Sequence, residues 1–141
     1  MIMTLDWDRI GSILREAGTI AVVGLSPDPT RPSHGVASYL QDAGYRILPV
    51  RPGSEPILGE QPYPDLTSAR AAAGPIDIVD IFRRSEYVPE LLPDLLAIRP
   101  LLVWMQVGVQ HSATAAALQQ AGIAVVMNRC LMVDHAGMMA R

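Results

Sequence analysis

Residues 20–26 read IAVVGLS. The first five residues form an uninterrupted apolar run that ends at Gly24, and the hydroxyl side chain of Ser26 follows two residues later. A strand with one face in water alternates apolar and polar residues, whereas a continuous run is typical of a strand covered on both faces. Gly18 lies just before the run, and a glycine in that position is typical of the residue that follows a helix. The stretch therefore predicts a helix end, a short turn and a buried parallel strand.

The same arrangement recurs along the chain. Each of four Ala-Gly pairs is followed within two residues by an apolar run, and a fifth run follows Pro100. The predicted strands are 20–24, 45–50, 76–82, 101–106 and 123–127. Helix-length segments separate them, which is the pattern of right-handed βαβ units. We expect one α/β domain over residues 1–141, a Rossmann-like, doubly wound sheet of five mainly parallel strands with helices on both faces.

Three local features refine this expectation. Apolar residues at helical spacing within residues 1–18, among them Ile10, Ile13 and Leu14, predict an N-terminal helix packed on the sheet. Ser33 is suited to cap the helix predicted over residues 33–43. Pro93 predicts a break or kink within the helical segment 86–98, because proline lacks the N–H group that a helix interior uses.

Composition excludes several classes of function. The net charge of −3 argues against a nucleic-acid binder, and the single cysteine, Cys130, cannot form an internal disulfide. All eleven basic residues are arginine, which excludes a Walker lysine, a Schiff-base lysine and a pyridoxal anchor. The apolar runs are shorter than the ~20 residues of a membrane span, and acidic residues near the start argue against a leader. We expect a soluble, cytoplasmic protein without membrane or nucleic-acid partners.

In a parallel sheet, ligands bind beyond the carboxyl ends of the strands, so the residues that follow each strand are the candidate site. The first loop combines a bare glycine, hydroxyl groups, a guanidinium and a predicted helix start, which together predict an anion site. Its candidate residues are Gly24, Leu25, Ser26, Arg31, Pro32 and Ser33. The loop matches neither the dinucleotide fingerprint nor the P-loop, and a proline-stiffened turn is the alternative interpretation.

The other strands end in similar residues. The candidates there are Val50 and Arg51, then Phe82, Arg83 and Arg84, then Gln106 and Gly108. An arginine after the second strand favours a ribose that carries an extra phosphate, as in NADP or coenzyme A, although a solvated arginine is the alternative. The two guanidinium groups of Arg83 and Arg84 suit a pyrophosphate. In the alternative interpretation, Phe82 belongs to the core and at least one of the two arginines pairs with a nearby acid. Together with Arg31 and Arg129, the three arginines at positions 51, 83 and 84 are expected to form a basic cleft.

Catalytic interpretations have less support. The sequence GLSPD at residues 24–28 departs from the G-x-S-x-G nucleophile elbow at its last position, and the histidines and cysteine match no metal-ligand spacing. Cys130 is either a reactive thiol near the edge or an inert packed one. Asp77 and Asp80 are expected to be buried structural acids rather than general bases. We predict no catalytic residue and no metal ligand.

These landmarks resemble the small, stand-alone CoA-binding proteins, whose fold is similar to the N-terminal domain of the succinyl-CoA ligase α subunit. The resemblance runs from about Ile20 to the C-terminus. It is carried by the segments 20–26, 31–33, 44–45, 49–52, 79–84, 103–108 and 128–130. It implies coenzyme A as the ligand, with phosphates at the first loop, adenosine near Val50 and Arg51, and further contacts from the third and fourth loops.

The expected function is therefore to bind coenzyme A or an acyl-CoA without catalysing a reaction. A second protein or a second copy of the chain is an expected alternative for a protein partner. Because the sequence is short, we expect no further domain of the kind that carries the ligase's phosphorylated histidine. Two enzyme alternatives remain, a small NADP-dependent oxidoreductase and a CoA-dependent transferase that uses Cys130. A partner protein that has lost its ligand is the third alternative.

Overall fold

Helices and strands alternate along residues 5–140, the part of the chain that the structure, a computed structural model, describes. The predicted N-terminal segment 1–18 and the domain 1–141 therefore extend slightly outside the described residues. The elements are α1 (Trp7–Glu16), β1 (Thr19–Val23), α2 (Pro32–Asp42), β2 (Arg46–Val50), α3 (Leu66–Ala73), β3 (Ile78–Ile81), a 3-10 helix (Ser85–Leu91), α4 (Leu92–Ile98), β4 (Leu102–Met105), α5 (Ser112–Gln120), β5 (Ala124–Val126) and α6 (Leu131–Met139).

The five strands form one sheet in the order β2-β1-β3-β4-β5, and every neighbouring pair is parallel. This confirms the predicted doubly wound α/β fold. The chain moves outward from β1 to β2 and then crosses back over β1 to begin β3. The direction of winding therefore reverses between β1 and β3, and the carboxyl ends of these two strands flank the crevice where such sheets bind ligands.

The continuous apolar runs are explained by two separate cores. Ile20 and Val22 point into a cluster with residues of α1, α2 and α6, whereas Ala21 and Val23 point into a cluster with residues of α3, α4 and α5. Successive side chains of a strand lie on opposite faces, so a strand covered by helices on both faces needs apolar residues at every position.

Helix α1 packs on the sheet as its apolar face predicted. Ile10, Ile13 and Leu14 are buried, and the Tyr45 hydroxyl donates to the Leu14 carbonyl. The turn into β1 is held by the Asp77 carboxylate, which accepts from the N–H groups of Gly18 and Thr19. Asp77 is therefore a structural acid, as expected, but it is half-buried and not buried.

Two local predictions differ in detail. Ser33 does not cap α2: the helix begins one residue earlier at Pro32, Arg31 is its N-cap residue, and the Ser33 hydroxyl instead accepts from the Ser26 N–H at 3.0 Å. The expected break before α4 is present, since a 3-10 helix joins α4 at Leu92. Pro93 lies in the first turn of α4, where a missing N–H costs no helical hydrogen bond.

The helices between residues 5 and 140 are all too short or too polar to cross a bilayer. Across the same residues, no three His, Cys, Asp or Glu side chains come together as a metal site would require.

Candidate functional site

The loops after β1, β2 and β3 are joined where they leave the sheet. The Gly24 N–H donates to the Val50 carbonyl at 2.9 Å, and the Phe82 N–H donates to the Val23 carbonyl at 2.9 Å. These bonds continue the sheet by one residue and bring the start of each loop to the same edge. Gly24, Val50 and Phe82 are therefore direct neighbours at the crevice between β1 and β3.

Gly24 has its own structural reason to be glycine. Its φ of 84° lies in the left-handed region, and an added Cβ would fall inside van der Waals contact with the Phe82 carbonyl oxygen. The same Cβ position lies 3.6 Å from Cγ of Arg83. The sequence predicted close approach of a ligand at Gly24, whereas the structure shows close approach of the neighbouring loop, which brings Arg83 beside it.

The β1–α2 loop is held by its own side chains. The Ser26 N–H donates to the Ser33 hydroxyl, and the Asp28 N–H donates to the Ser26 hydroxyl at 3.1 Å. The N–H and hydroxyl of Thr30 both donate to the Asp28 carboxylate, and these bonds hold the pKa of Asp28 below its usual value. The Ser26 hydroxyl is thus used as an acceptor, which leaves its proton to donate to an anion.

The start of α2 offers fewer N–H groups than predicted. Pro32 has none, and the N–H groups of His34 and Gly35 both donate to the Arg31 carbonyl. Arg31 and Pro32 are exposed, whereas the Leu25 side chain is fully buried in the core. Leu25 can therefore contact a ligand only through its backbone, and the charge of this loop comes from the Arg31 guanidinium.

After β2, the two candidates differ in exposure. The Val50 side chain is buried, and the half-buried Arg51 donates from its backbone N–H to the Tyr63 carbonyl at 2.9 Å. The guanidinium of Arg51 donates only to the carbonyl of its neighbour Pro52, at 3.1 Å. Among residues 5–140, no carboxylate lies within 4.0 Å of it, so its charge is available to an anion.

Both arginines after β3 have acidic neighbours at long distance. Arg83 lies 4.0 Å from Glu90, and Arg84 lies 3.9 Å from Glu86. Exposed pairs of this length contribute little, because water screens them. Arg83 also lies over the ring of Tyr87, 5.5 Å from its centre. An anion bound at the crevice could replace Glu90 as the partner of Arg83 without breaking a strong bond.

Gln106 is placed beneath the edge rather than at its surface. Its side chain is buried, its Nε2 donates to the Asp80 carboxyl at 3.3 Å, and its Oε1 accepts from the Leu131 N–H at 3.3 Å. Asp80 is fully buried, and burial raises the pKa of its carboxyl well above the usual value. Gln106 therefore links β3 and β4 to the start of α6, and both ends of its amide are occupied inside the protein.

Gly108 offers a bare surface but no free hydrogen-bonding group. Its N–H donates to the Asn128 side chain at 2.7 Å, and its carbonyl accepts from the Ser85 hydroxyl at 3.3 Å. A Cβ at Gly108 would meet no heavy atom within 4 Å. A ligand can therefore lie against its Cα, as expected of a glycine beside a bound molecule.

Three residues that shape this edge were not predicted as site residues. Ser85 joins the loops after β3 and β4, because its hydroxyl also accepts from the Gln110 N–H. Asn128, in the left-handed conformation with φ of 58°, holds Gly108, and Tyr87 supports Arg83. Arg83 precedes the 3-10 helix that carries Tyr87, so no helical spacing in the sequence indicated this contact.

The predicted cluster of five arginines is wrong for Arg129. Its guanidinium makes two hydrogen bonds to Asp134, at 2.7 and 2.9 Å, and lies 4.9 Å from the centre of the Trp7 ring. It therefore faces α1 and α6, and it follows β5, at the opposite edge of the sheet from β2. Arg31, Arg51, Arg83 and Arg84 remain at the carboxyl edge. Three other arginines bind helix-end carbonyls: Arg9, Arg46 and Arg99.

The chain is similar to known proteins in both sequence and fold. The family model for the CoA binding domain matches residues 18–136. An uncharacterized protein of Bacillus subtilis, YneT, is 40% identical over 128 residues, which are 91% of this chain and 93% of YneT. A solved structure from Thermus thermophilus is 42% identical with a TM-score of 0.89, over 95% of this chain and 99% of that one. A hypothetical protein from Pyrococcus horikoshii is 30% identical with a TM-score of 0.86, over 99% of both chains.

Proposed function

The chain belongs to the CoA-binding domain family, and on that basis we propose that it binds coenzyme A or an acyl-CoA across the carboxyl edge of its sheet. We propose further that it acts as a binding or regulatory protein and not as a catalyst. Coenzyme A carries one phosphate on its ribose and a diphosphate that joins the adenosine to a long, flexible pantetheine chain. Such a molecule needs separated cationic groups and a narrow surface along which its chain can lie.

The residues at the edge supply these features in order. The Ser26 hydroxyl and Arg31 would bind the diphosphate, and Arg51 would bind the phosphorylated ribose. The pantetheine chain would pass the crevice between β1 and β3, beside Phe82 and Arg83, and continue to Gly108. Strands lie about 4.8 Å apart, so the path from β2 to β4 spans roughly 14 Å.

The observation that carries this proposal is the contact between the loops at Gly24 and Arg83. The place where the winding of the sheet reverses is where a ligand is expected. There Gly24 lies beside the aliphatic part of the Arg83 side chain, whose guanidinium is only weakly paired. Arg83 is thus held near the crevice by the backbone and not by a strong ion pair. Buried residues such as Gln106 and Asp80 would support the site without contacting the ligand.

Two features favour binding over catalysis. Cys130 is half-buried and packs against the core beside α6, which is typical of a structural thiol. Asp80 is the buried acid closest to the edge, but its carboxyl is enclosed and faces Gln106. A catalytic acid must reach the substrate, and an enclosed carboxyl does not.

Isothermal titration calorimetry with coenzyme A tests the proposal. We expect the wild-type protein to bind with a dissociation constant in the micromolar range or below, equivalent to ~8 kcal/mol. Arg83→Ala should weaken binding by about 10- to 150-fold, the effect of removing a charged hydrogen bond worth ~1.5–3 kcal/mol. Arg70→Ala, an exposed arginine on α3 away from this edge, is the matched control and should bind as the wild type does.

The same titration separates coenzyme A from a nicotinamide ligand. If NADP binds with normal affinity and coenzyme A releases no heat, the proposal is wrong and the oxidoreductase alternative is favoured. Mass spectrometry of small molecules released on denaturation is an independent test, because the mass of a co-purified ligand would identify it. A thiol titration in which Cys130 proves unreactive would argue against the transferase alternative.

A further inference from the structure

A groove of about 650 Å³ lies between α1 and α6, and none of its lining residues belongs to the proposed coenzyme A site. Its walls include Trp7, Val133 and Met139, which are three of the seven large hydrophobic side chains exposed in residues 5–140. Scattered apolar residues on a surface need no explanation, whereas several that meet in one groove are typical of an interaction surface.

The outer face of α6 is apolar and uncovered. The polar residues of this helix are Asp134, which binds Arg129, and His135, which is buried against Tyr39. The exposed positions Val133, Ala136 and Gly137 carry no charge. An apolar helix face is normally covered by another element, and within the described chain nothing covers this one.

Helix α1, on the other wall, carries an unpaired charge of each sign. Asp8 and Arg15 are both exposed, both line the groove, and neither has an ion-pair partner within 4.0 Å in the described part of the chain. They are seven residues apart, which places them on the same helical face about 10.5 Å apart along the axis. The midpoint between them falls between Gly11 and Ser12.

We propose that a second copy of this chain docks on the groove, with α1 packed antiparallel to α1 of the second copy. A twofold axis near Gly11 and Ser12 would place Asp8 of each copy opposite Arg15 of the other. Such an interface uses the same surface twice and closes as a dimer. The Arg15 guanidinium now lies over Gly11, 3.1 Å from where a Cβ would be, and would turn outward to reach Asp8 of the second copy. The apolar face of α6 would be covered in the same assembly.

The pattern of charges selects a second copy over an unrelated partner. A helix that carries an acid and a base symmetrically about its centre is complementary to itself when reversed. An acidic or a basic partner would match one of the two charges and oppose the other. This inference concerns a different surface from the coenzyme A site, so it does not depend on ligand binding.

Sedimentation velocity over a range of protein concentrations tests the dimer through a charge swap. The wild type should reach twice the chain mass of 15.2 kDa. Asp8→Arg and Arg15→Asp should each weaken self-association at least about tenfold, because each places like charges opposite one another twice. The double variant Asp8→Arg/Arg15→Asp should restore it. A mixture of the two single variants should associate more tightly than either alone.

Two further variants serve as controls. Arg70→Asp changes the net charge as Arg15→Asp does, but on α3, and should leave the dimer intact. Gly137→Trp fills the groove from a position where a Cβ meets no atom within 4 Å, so it should abolish the dimer and preserve the fold, whereas Gly137→Ala should retain the dimer. A wild type that stays monomeric at every concentration would overturn the proposal. So would a dimer that does not respond to the charge variants.

Discussion

Gly24→Ala is expected to destabilise the protein by about 2–5 kcal/mol, a large part of the 5–15 kcal/mol that holds a typical domain together. Two costs add at this position. A non-glycine residue with a φ of 84° costs ~1–2 kcal/mol, and the new methyl group would push the Phe82 carbonyl out of place, which costs a further ~1–3 kcal/mol. Urea unfolding followed by circular dichroism measures the loss.

Gly108→Ala is the matched control for this prediction. Gly108 has the same φ of 84°, but a Cβ there meets no heavy atom within 4 Å. It should therefore show only the conformational cost, ~1–2 kcal/mol. The difference between the two variants isolates the contact between the β1 and β3 loops. If both variants lose the same free energy of unfolding, that contact does not explain why residue 24 is glycine.

Asp80→Asn is expected to remove a loss of stability that the wild type suffers as the pH rises. Burial raises the pKa of Asp80 well above the usual value of 3.8. Between pH 3.8 and the raised pKa, the unfolded chain has lost this proton while the folded chain still holds it. Unfolding therefore releases a proton, and rising pH favours unfolding. The contribution of the protonated Asp80 to the free energy of unfolding is full below pH 3.8. It falls by at most about 1.4 kcal/mol per pH unit until the pH passes the pKa of Asp80 in the folded protein.

Asparagine is neutral in both states and keeps an oxygen that accepts from Gln106. The free energy of unfolding of Asp80→Asn should therefore fall less between about pH 5 and pH 9 than that of the wild type, and the variant should be the more stable at the alkaline end. Asp42→Asn, a change of the same kind at an exposed position on α2, should follow the wild-type curve. Parallel curves for the wild type and Asp80→Asn would show that Asp80 does not hold its proton in the fold.

Much of the fold can be predicted from the sequence because the signals are local. A continuous apolar run such as residues 20–24 indicates a strand covered on both faces, and a glycine such as Gly18 indicates where the preceding helix ends. The order of these signals predicted the α/β class, which the parallel sheet confirms. Placement of candidates after each strand followed from the same reasoning, and four of five arginines lie at that edge.

Other features depend on where side chains point after they leave the backbone, and spacing does not encode this. Gln106 follows β4 directly, as Arg51 follows β2, yet Gln106 turns inward to Asp80. Arg129 lies three residues beyond β5 and turns toward Trp7 and Asp134. Gln106 meets Asp80 on a strand 26 residues away, and Arg129 lies over Trp7 of the distant helix α1 although it also binds Asp134 five residues along the chain. A motif can therefore place a residue at the edge without deciding whether its polar group faces a ligand or the interior.

The amino-acid sequence by itself determined the class of fold, the positions of the strands and which loops share one edge, because each depends on the periodicity of neighbouring residues. Only the tertiary structure decided the strand order, the contact that requires glycine at position 24 and the groove between α1 and α6. These arise when segments far apart in the chain pack together, and the free energy of that packing depends on shapes that no local pattern records.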